Sequence, residues 1–223
     1  MSRLLGDRGV SFLHRVVNFF LPGVCPICGS RMDFTDVLCE DCTSRLNLTP
    51  LMRLNIELKN VDSVWCYGKY EDELRDAIKL YKYGFLSSLH LIFVDKMVEL
   101  FERSSVNFEG FTMTSVPPNL NSRLSKGFDH TGIVARKVAK RLGIDYKVLL
   151  KAKNGKPQVG LSAKERRRNV VGRYRIGNRV VPEKILIFDD VITTGSTLDE
   201  CGRILKEHGA VEIHGFVLAH SII

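Results

Sequence analysis

Ile185-Leu-Ile-Phe-Asp-Asp-Val-Ile-Thr-Thr-Gly-Ser-Thr197 sets two acids and a hydroxyl-rich turn directly behind a short apolar run. Four apolar residues in succession, Ile185–Phe188, predict a buried strand of a parallel sheet. A loop containing Gly195 then opens an amphipathic helix predicted over about Ser196–His208. The first backbone N–H groups of a helix have no intrahelical partner and favour an anion, usually a phosphate. At the strand's carboxyl end, Asp189 and Asp190 are placed to accept hydrogen bonds from two vicinal hydroxyls of a ribose. A phosphate cradle beside a diol reader suits a ribose 5-phosphate. In an ordinary strand–turn–helix, Thr194 or Ser196 would merely cap the helix. Capping accounts for the hydroxyls, but not for adjacent acids behind a buried strand.

Outward from this stretch, apolar spacing predicts alternating strands and helices. Val61–Gly68 is a strand. Tyr70–Tyr83 is a helix with Leu74, Ala77, Ile78 and Tyr81 on one face, and Leu86–Arg103 is a second helix. Phe111–Val116 is a strand ended by Pro117-Pro118, which cannot continue a central ladder. A helix over Thr131–Leu142 stops at Gly143. Strands follow at Lys147–Leu150 and Ile213–Leu218, while Asn47–Asn60 reads as a connector. The alternation implies an α/β fold with a doubly wound, mostly parallel sheet, whose ligands sit at the strands' carboxyl ends. Two domains are expected: 1–60, holding an N-terminal helix, a four-cysteine module and the connector, and 61–223, the α/β body.

With 223 residues, 44% hydrophobic and 26% charged, the composition is that of a soluble globular protein. No apolar run reaches the ~18 residues of a membrane span. Ser11–Leu21 is apolar but contains His14, Arg15 and Asn18, and no small-residue cleavage site follows it. A short amphipathic helix and a cytoplasmic location with reduced thiols are therefore expected. The charge is unevenly spread. Between Asn121 and Val181, 17 Lys or Arg face 3 acids, a net of +14 against +8 for the whole chain, so the remainder carries −6. Such concentration points to a polyanionic partner: pyrophosphate, a nucleotide or single-stranded nucleic acid.

Cys25-Pro-Ile-Cys28 and Cys39-Glu-Asp-Cys42 form a C-x2-C-x10-C-x2-C array. Two such turns complete a tetrahedron of thiolates around Zn²⁺, with Gly29 letting the backbone turn beneath the metal. Four thiolates leave no open position, so the site is structural; an iron–sulfur centre is the alternative. The segment around it holds only Arg31 and Arg45 as cations, against Asp33, Asp36, Glu40 and Asp41, a balance that repels phosphate. Cys66 and Cys201 lie outside the array and read as small buried hydrophobes.

Three further segments fit a phosphate-handling site. The loop Pro117–Thr131 places Arg123 and Lys126 beside Gly127, offering charge and bare backbone to a diphosphate. Leu80-Tyr-Lys-Tyr-Gly84 ends a helix with Lys82. The long basic stretch Gln158–Asn169, with Arg166, Arg167 and Arg168, has the length of a lid or binding segment. His130 reads as a cap or surface residue.

The stretch Ile185–Thr197 resembles the phosphoribosyl pyrophosphate (PRPP) signature of type I phosphoribosyltransferases. Together with the cysteine array, the Lys82-Tyr-Gly84 element, the Pro117–His130 loop and the Gln158–Asn169 segment, nearly the whole chain resembles the ComF (ComFC/GntX) family of competence proteins. That resemblance implies a type I phosphoribosyltransferase core with a zinc-binding extension. PRPP contacts then fall on Asp189, Asp190, Val191, Thr193, Thr194, Gly195, Ser196, Thr197, Pro117, Arg123 and Lys82. Mg²⁺ would accompany PRPP, and Asp189, Asp190, Arg123 and Lys126 would act in any catalysis. Gln158, Arg166, Arg167, Arg168 and Asn169 would form a lid or DNA-binding segment. The resemblance further implies handling of single-stranded DNA in natural transformation, with a ComFA-type helicase as partner. Aromatic residues on the cationic part are few (Phe128, Tyr146, Tyr174), so base stacking would contribute little. An alternative is an active phosphoribosyltransferase or amidophosphoribosyltransferase-like enzyme acting on a small amine or base.

Overall fold

The computed structural model describes residues 23–46, 52–84, 86–103, 107–118, 129–153, 172–177 and 180–221. They fall into two compact units, within Met1–Leu48 and Thr49–Ile223. In the first, β1 (Gly23–Val24) pairs antiparallel with β2 (Arg31–Met32), and α1 (Glu40–Leu46) follows.

The second unit is built on a six-stranded sheet. Its members in chain order are β3 (Met52–Arg53), β4 (Ser63–Lys69), β5 (Thr112–Ser115), β6 (Asp145–Tyr146), β9 (Lys184–Ile192) and β10 (Glu212–His220). Spatially they run β3-β4-β10-β9-β5-β6, with all neighbours parallel except β3 against β4. The mostly parallel α/β fold expected from the sequence is thus present. Among the described residues four helices pack on the sheet: α2 (Asp72–Tyr83), α3 (Leu89–Arg103), α4 (His130–Leu142) and α5 (Ser196–Glu207). No helix among the described residues is long and apolar enough to cross a membrane.

Period-two alternation along the central strands divides the core between two faces. Ile185, Ile187 and Val217 pack with Leu198, Cys201, Ile204 and Leu205 of α5. Phe216, one residue out of phase, stacks on Phe101 of α3 with ring centroids 4.1 Å apart. Cys66 and Cys201 are fully buried, as small apolar side chains are. Of the segment read as a connector, the described residues 52–60 run along this unit: Leu54, Ile56 and Leu58 pack against the α5 core, and Asn60 donates its N–H to Asp199 of α5 at 2.8 Å.

A two-stranded antiparallel ribbon, β7 (Leu150–Ala152) and β8 (Tyr174–Ile176), lies apart from the main sheet. Its inner face, Leu150, Tyr174 and Ile176, joins the α5 core. Its outer face pairs Lys151 with Arg175, and beyond them the Lys153 N–H bonds to the Arg173 carbonyl. All four cations are exposed, and none makes an ion pair with a described carboxylate. Like charges facing each other across strands destabilise a ribbon, and of the four only Lys153 is shown in electrostatic reach of a carboxylate, that of Glu200.

Candidate functional site

Strand β9 continues past its apolar run through both acids to Ile192, because β10 pairs with it as far as Ile192↔His220. The pleat sends Asp189 and Asp190 to opposite faces of the strand tip. Asp189 lies on the α5 side, near Cys201 and Tyr174. Asp190 turns to the other side, where Lys82 of α2 meets it with Nζ 2.6 Å from Oδ1 and Thr131 of α4 donates to Oδ2 at 3.4 Å. The Asp190 N–H in turn donates to Asp189 Oδ1 at 2.9 Å.

Both acids line a cleft of about 310 Å³ at the carboxyl ends of β5 and β9, together with Lys82, Pro117, Thr131, Tyr174 and Thr197. This is where ligands of parallel sheets bind. Burial, reinforced by the charge of Asp190, pushes the Asp189 carboxyl up to about 8; Lys82 offsets part of that rise. Burial thus favours the protonated form of Asp189, and a cationic ligand bound there would displace that proton to solvent. Val116, directly after β5, donates its N–H to the Phe188 carbonyl at 2.9 Å, and Pro117 comes next.

Beyond Ile192 the chain turns through Thr193 and Thr194 into Gly195, the N-cap of α5, whose φ is 73°. A glycine N-cap has no side chain to answer the first-turn N–H groups of this 12-residue helix. Thr194 Oγ1 contacts the Ser196 hydroxyl at 2.6 Å and accepts its N–H at 3.4 Å. Two constraints hold position 195 to glycine. The left-handed φ is one; the other is that a Cβ there would lie 2.6 Å from Leu58 Cδ2 and 3.0 Å from Ile56 Cδ1. Gly195→Ala is accordingly expected to cost about 1–3 kcal/mol of stability and to weaken phosphate binding, because the turn must shift off the extended strap beneath it. Denaturant unfolding beside ribose 5-phosphate titration checks both halves; an alanine variant as stable as the parent would show the turn to be unstrained.

The cleft thus gathers Lys82, Pro117, Asp189, Asp190 and Thr197 of the residues expected from the sequence. Arg123, Lys126, Gln158, Arg166, Arg167, Arg168 and Asn169 lie outside the described residues. Helix α4 is capped by Asp129, which accepts the Gly132 N–H at 2.8 Å, rather than by His130. The His130 ring packs edge-on against Tyr81 and its carbonyl accepts the Tyr81 hydroxyl at 2.9 Å. Thr131 and Tyr174 were not among the expected contacts. A lone threonine in the first turn of a helix and a lone tyrosine after a basic stretch carry no local signal of facing a distant acid pair.

In the N-terminal unit the Sγ atoms of Cys25, Cys28, Cys39 and Cys42 all lie within 4.8 Å of one another. Four thiolates 2.3 Å from a tetrahedral zinc would be about 3.8 Å apart, so this donor set fits one such ion. Gly29, at φ 76°, turns the first knuckle and donates its N–H to the Cys25 carbonyl at 2.9 Å. Cys42 N–H reaches Cys39 Sγ at 3.5 Å, the backbone-to-sulfur bond that steadies a thiolate. Ser30, through its side chain and backbone, pulls the exposed Cys28 thiol down to about 6, while burial pushes that of Cys42 up.

A model of the phosphoribosyl transferase domain matches residues 125–221. Competence protein F of Haemophilus influenzae is 31% identical over 101 residues, 43% of this chain and 44% of that protein. Competence protein ComFC of Streptococcus pneumoniae is 23% identical over 199 residues, 81% of this chain and 86% of that protein. The DNA utilization protein YhgH of Salmonella typhi is 29% identical over 112 residues, 49% of each chain. The chain is similar to competence proteins of the ComF type and carries a stretch that matches the phosphoribosyl transferase domain. Its match spans only about half the length of two of these three relatives. The solved allosteric regulatory enzyme of purine biosynthesis superposes on 58% of the chain and 26% of its own, at 25% identity and a TM-score of 0.40, too loosely to bear on the site. In this chain the matched domain holds the acid pair and the turn after it; Lys82, their neighbour in space, precedes it in sequence.

Proposed function

We propose that this chain is a ComF-family protein that binds PRPP with Mg²⁺ in the cleft at the strand tips, binds single-stranded DNA on its cationic surface, and acts in the handling of incoming DNA during natural transformation. What supports the first part above all is the cleft, where two acids, a lysine and an uncapped helix start converge within one ligand-sized space. The α5 amides hold the 5-phosphate, Asp189 and Asp190 read the ribose diol, and Lys82 serves the diphosphate. Paired carboxylates at the cleft are the hard oxygen donors Mg²⁺ prefers, and the ion, when bound, supplies charge that neutralises the diphosphate. The four sulfurs of the N-terminal unit hold zinc. The names of the relatives, competence protein F and competence protein ComFC, support the competence role; a cytoplasmic location and a ComFA-type helicase partner belong to the proposal.

Calorimetric titration with PRPP and Mg²⁺ tests the cleft: the expected result is saturable binding, and no heat from the wild-type chain would dismiss the reading. Turnover is a second reading, favoured by Tyr174, whose aromatic side chain lines the cleft beside Asp189 as a surface for a base. Diphosphate release in the presence of ammonia or free bases decides between the two.

For the DNA part, the support among described residues is the outer face of the β7–β8 ribbon. Two cross-strand rungs of cations stand about 7 Å apart along the strands, and a line of phosphates relieves their mutual repulsion. Neutralising Lys151→Gln with Arg175→Gln is expected to weaken single-stranded DNA binding and to lower the salt slope by about 1.4, the share of two phosphate contacts. Fluorescence anisotropy over a range of salt concentrations gives that slope; an unaltered value would remove the ribbon from the interface. Charge removal at Arg166, Arg167 and Arg168 should act in the same direction.

A further inference from the structure

We propose that Lys82 makes recognition of the ribose diol conditional on a diphosphate: unliganded, its ammonium holds Asp190, and an arriving diphosphate draws it away and frees that carboxylate. The proposal rests on the ribose phosphate reading above. It names what the site selects, a ribose carrying a diphosphate on its anomeric carbon over one carrying a hydroxyl there.

Three features of the cleft carry it. First, the diol reader is already occupied. Lys82 Nζ sits 2.6 Å from Asp190 Oδ1, and Thr131 donates to Oδ2. A neutral diol brings hydrogen bonds but no charge, so it cannot replace an ammonium on a carboxylate without leaving that ammonium unpaired. Second, the pair is sheltered, with side-chain exposures of 22% for Lys82 and 17% for Asp190. A charge left alone there is costly, which holds the pair together until another anion offers itself. A diphosphate, with several negative charges, is such an anion.

Third, the switch needs no backbone movement. Tyr81, beside Lys82, is 2% exposed, donates its hydroxyl to the His130 carbonyl and packs edge-on against Phe93. The last turn of α2 is closed by the Gly84 N–H on the Leu80 carbonyl at 2.8 Å. Lys82 is therefore a flexible four-carbon stem on a fixed base, able to swing its charge between two anions in one cleft. A ligand shifts such an equilibrium only by its differential interaction with the two states. PRPP has that difference in its diphosphate, whereas ribose 5-phosphate lacks it.

The test titrates the full chain with ribose 5-phosphate and with PRPP, each with Mg²⁺, in wild type, Lys82→Met and Lys82→Arg. Lys82→Met keeps length and packing but removes the charge. It is expected to tighten ribose 5-phosphate several-fold and to weaken PRPP about tenfold or more, the size of one charge-assisted contact. Lys82→Arg should retain the wild-type preference. In a parallel arm, Asp190→Asn should cost PRPP much more than ribose 5-phosphate, whose reader is already blocked. Ribose 5-phosphate affinity that is unchanged or weaker in Lys82→Met, or equal losses for both ligands in Asp190→Asn, overturns the proposal and leaves Lys82 an ordinary diphosphate ligand. A wild-type chain that binds no PRPP overturns the site reading itself, and this proposal with it.

Discussion

Asparagine at positions 189 and 190 together is expected to weaken PRPP binding at pH 9, where Asp189 is ionised, by about 100-fold or more, since two hydrogen bonds to charged groups worth about 1.5–3 kcal/mol each are lost. The two substitutions taken singly should nevertheless move stability in opposite directions. Asp189 is a carboxyl whose pKa in the fold is about 8 against an ordinary value of 3.8, raised first by burial and then by Asp190. Below 3.8 folded and unfolded chains both hold the proton, and the group contributes nothing. Between about 4 and 8 the folded chain holds a proton the unfolded chain has lost, so stability falls as pH rises through that window. Asp189→Asn removes this penalty. Its melting temperature should match that of wild type near pH 4 and exceed it by several degrees at pH 8–9.

Asp190→Asn has the reverse sign, because it takes from a sheltered Lys82 the carboxylate that its ammonium touches. Thermal melts of both variants between pH 5 and 9 check this. A pair of variants that shift alike would contradict the placement of the acids on opposite faces of the strand tip. The gain at position 189 also has a functional meaning. A protein that keeps a destabilising acid at a cleft has traded stability for something the acid does there.

The elements that were legible in the sequence are those whose signal is local. In α2, Leu74, Ala77, Ile78 and Tyr81 are all buried, as their spacing requires, and α5 starts at Ser196 as expected. Strand β9 is longer than its apolar run indicates because main-chain pairing with β10 carries it through Asp189 and Asp190, which hydropathy counts as a stop. Leu54-Asn-Ile-Glu-Leu58 does alternate apolar and polar residues, the period of an extended segment lying on a core. That signal was available, and its meaning for the site is the contact of Leu58 and Ile56 with the turn at Gly195. The ribbon is different in kind. Leu150–Ala152 and Tyr174–Ile176 are short and pair across a long basic stretch, so neither strand shows a pattern until its partner is known. Lys82 beside Asp190 is likewise a product of topology: α2 and β9 are brought together by the parallel sheet, and no spacing rule joins residues so far apart.

Loss of the zinc proposed for the N-terminal unit has the largest expected energetic effect of any single change. The described part, residues 23–46, has a two-stranded ribbon of two residues per strand and one helix of seven residues. Its buried side chains are mainly three of the four cysteines with Leu38 and Leu46. So little apolar surface falls far short of offsetting the conformational entropy of ordering the segment. A structural zinc contributes about 10–16 kcal/mol in such units, comparable with the whole stability of an ordinary domain. Cys25→Ser is therefore expected to unfold this unit, with zinc content falling from one equivalent to well below it and residues 23–46 becoming open to protease. The α/β unit has its own core and should keep its melting transition. Chelator treatment of the wild-type chain should reproduce the pattern, and metal analysis of the purified chain separates zinc from iron. A Cys25→Ser chain that holds no metal yet resists protease across 23–46 would mean that the four sulfurs converge for some purpose other than folding.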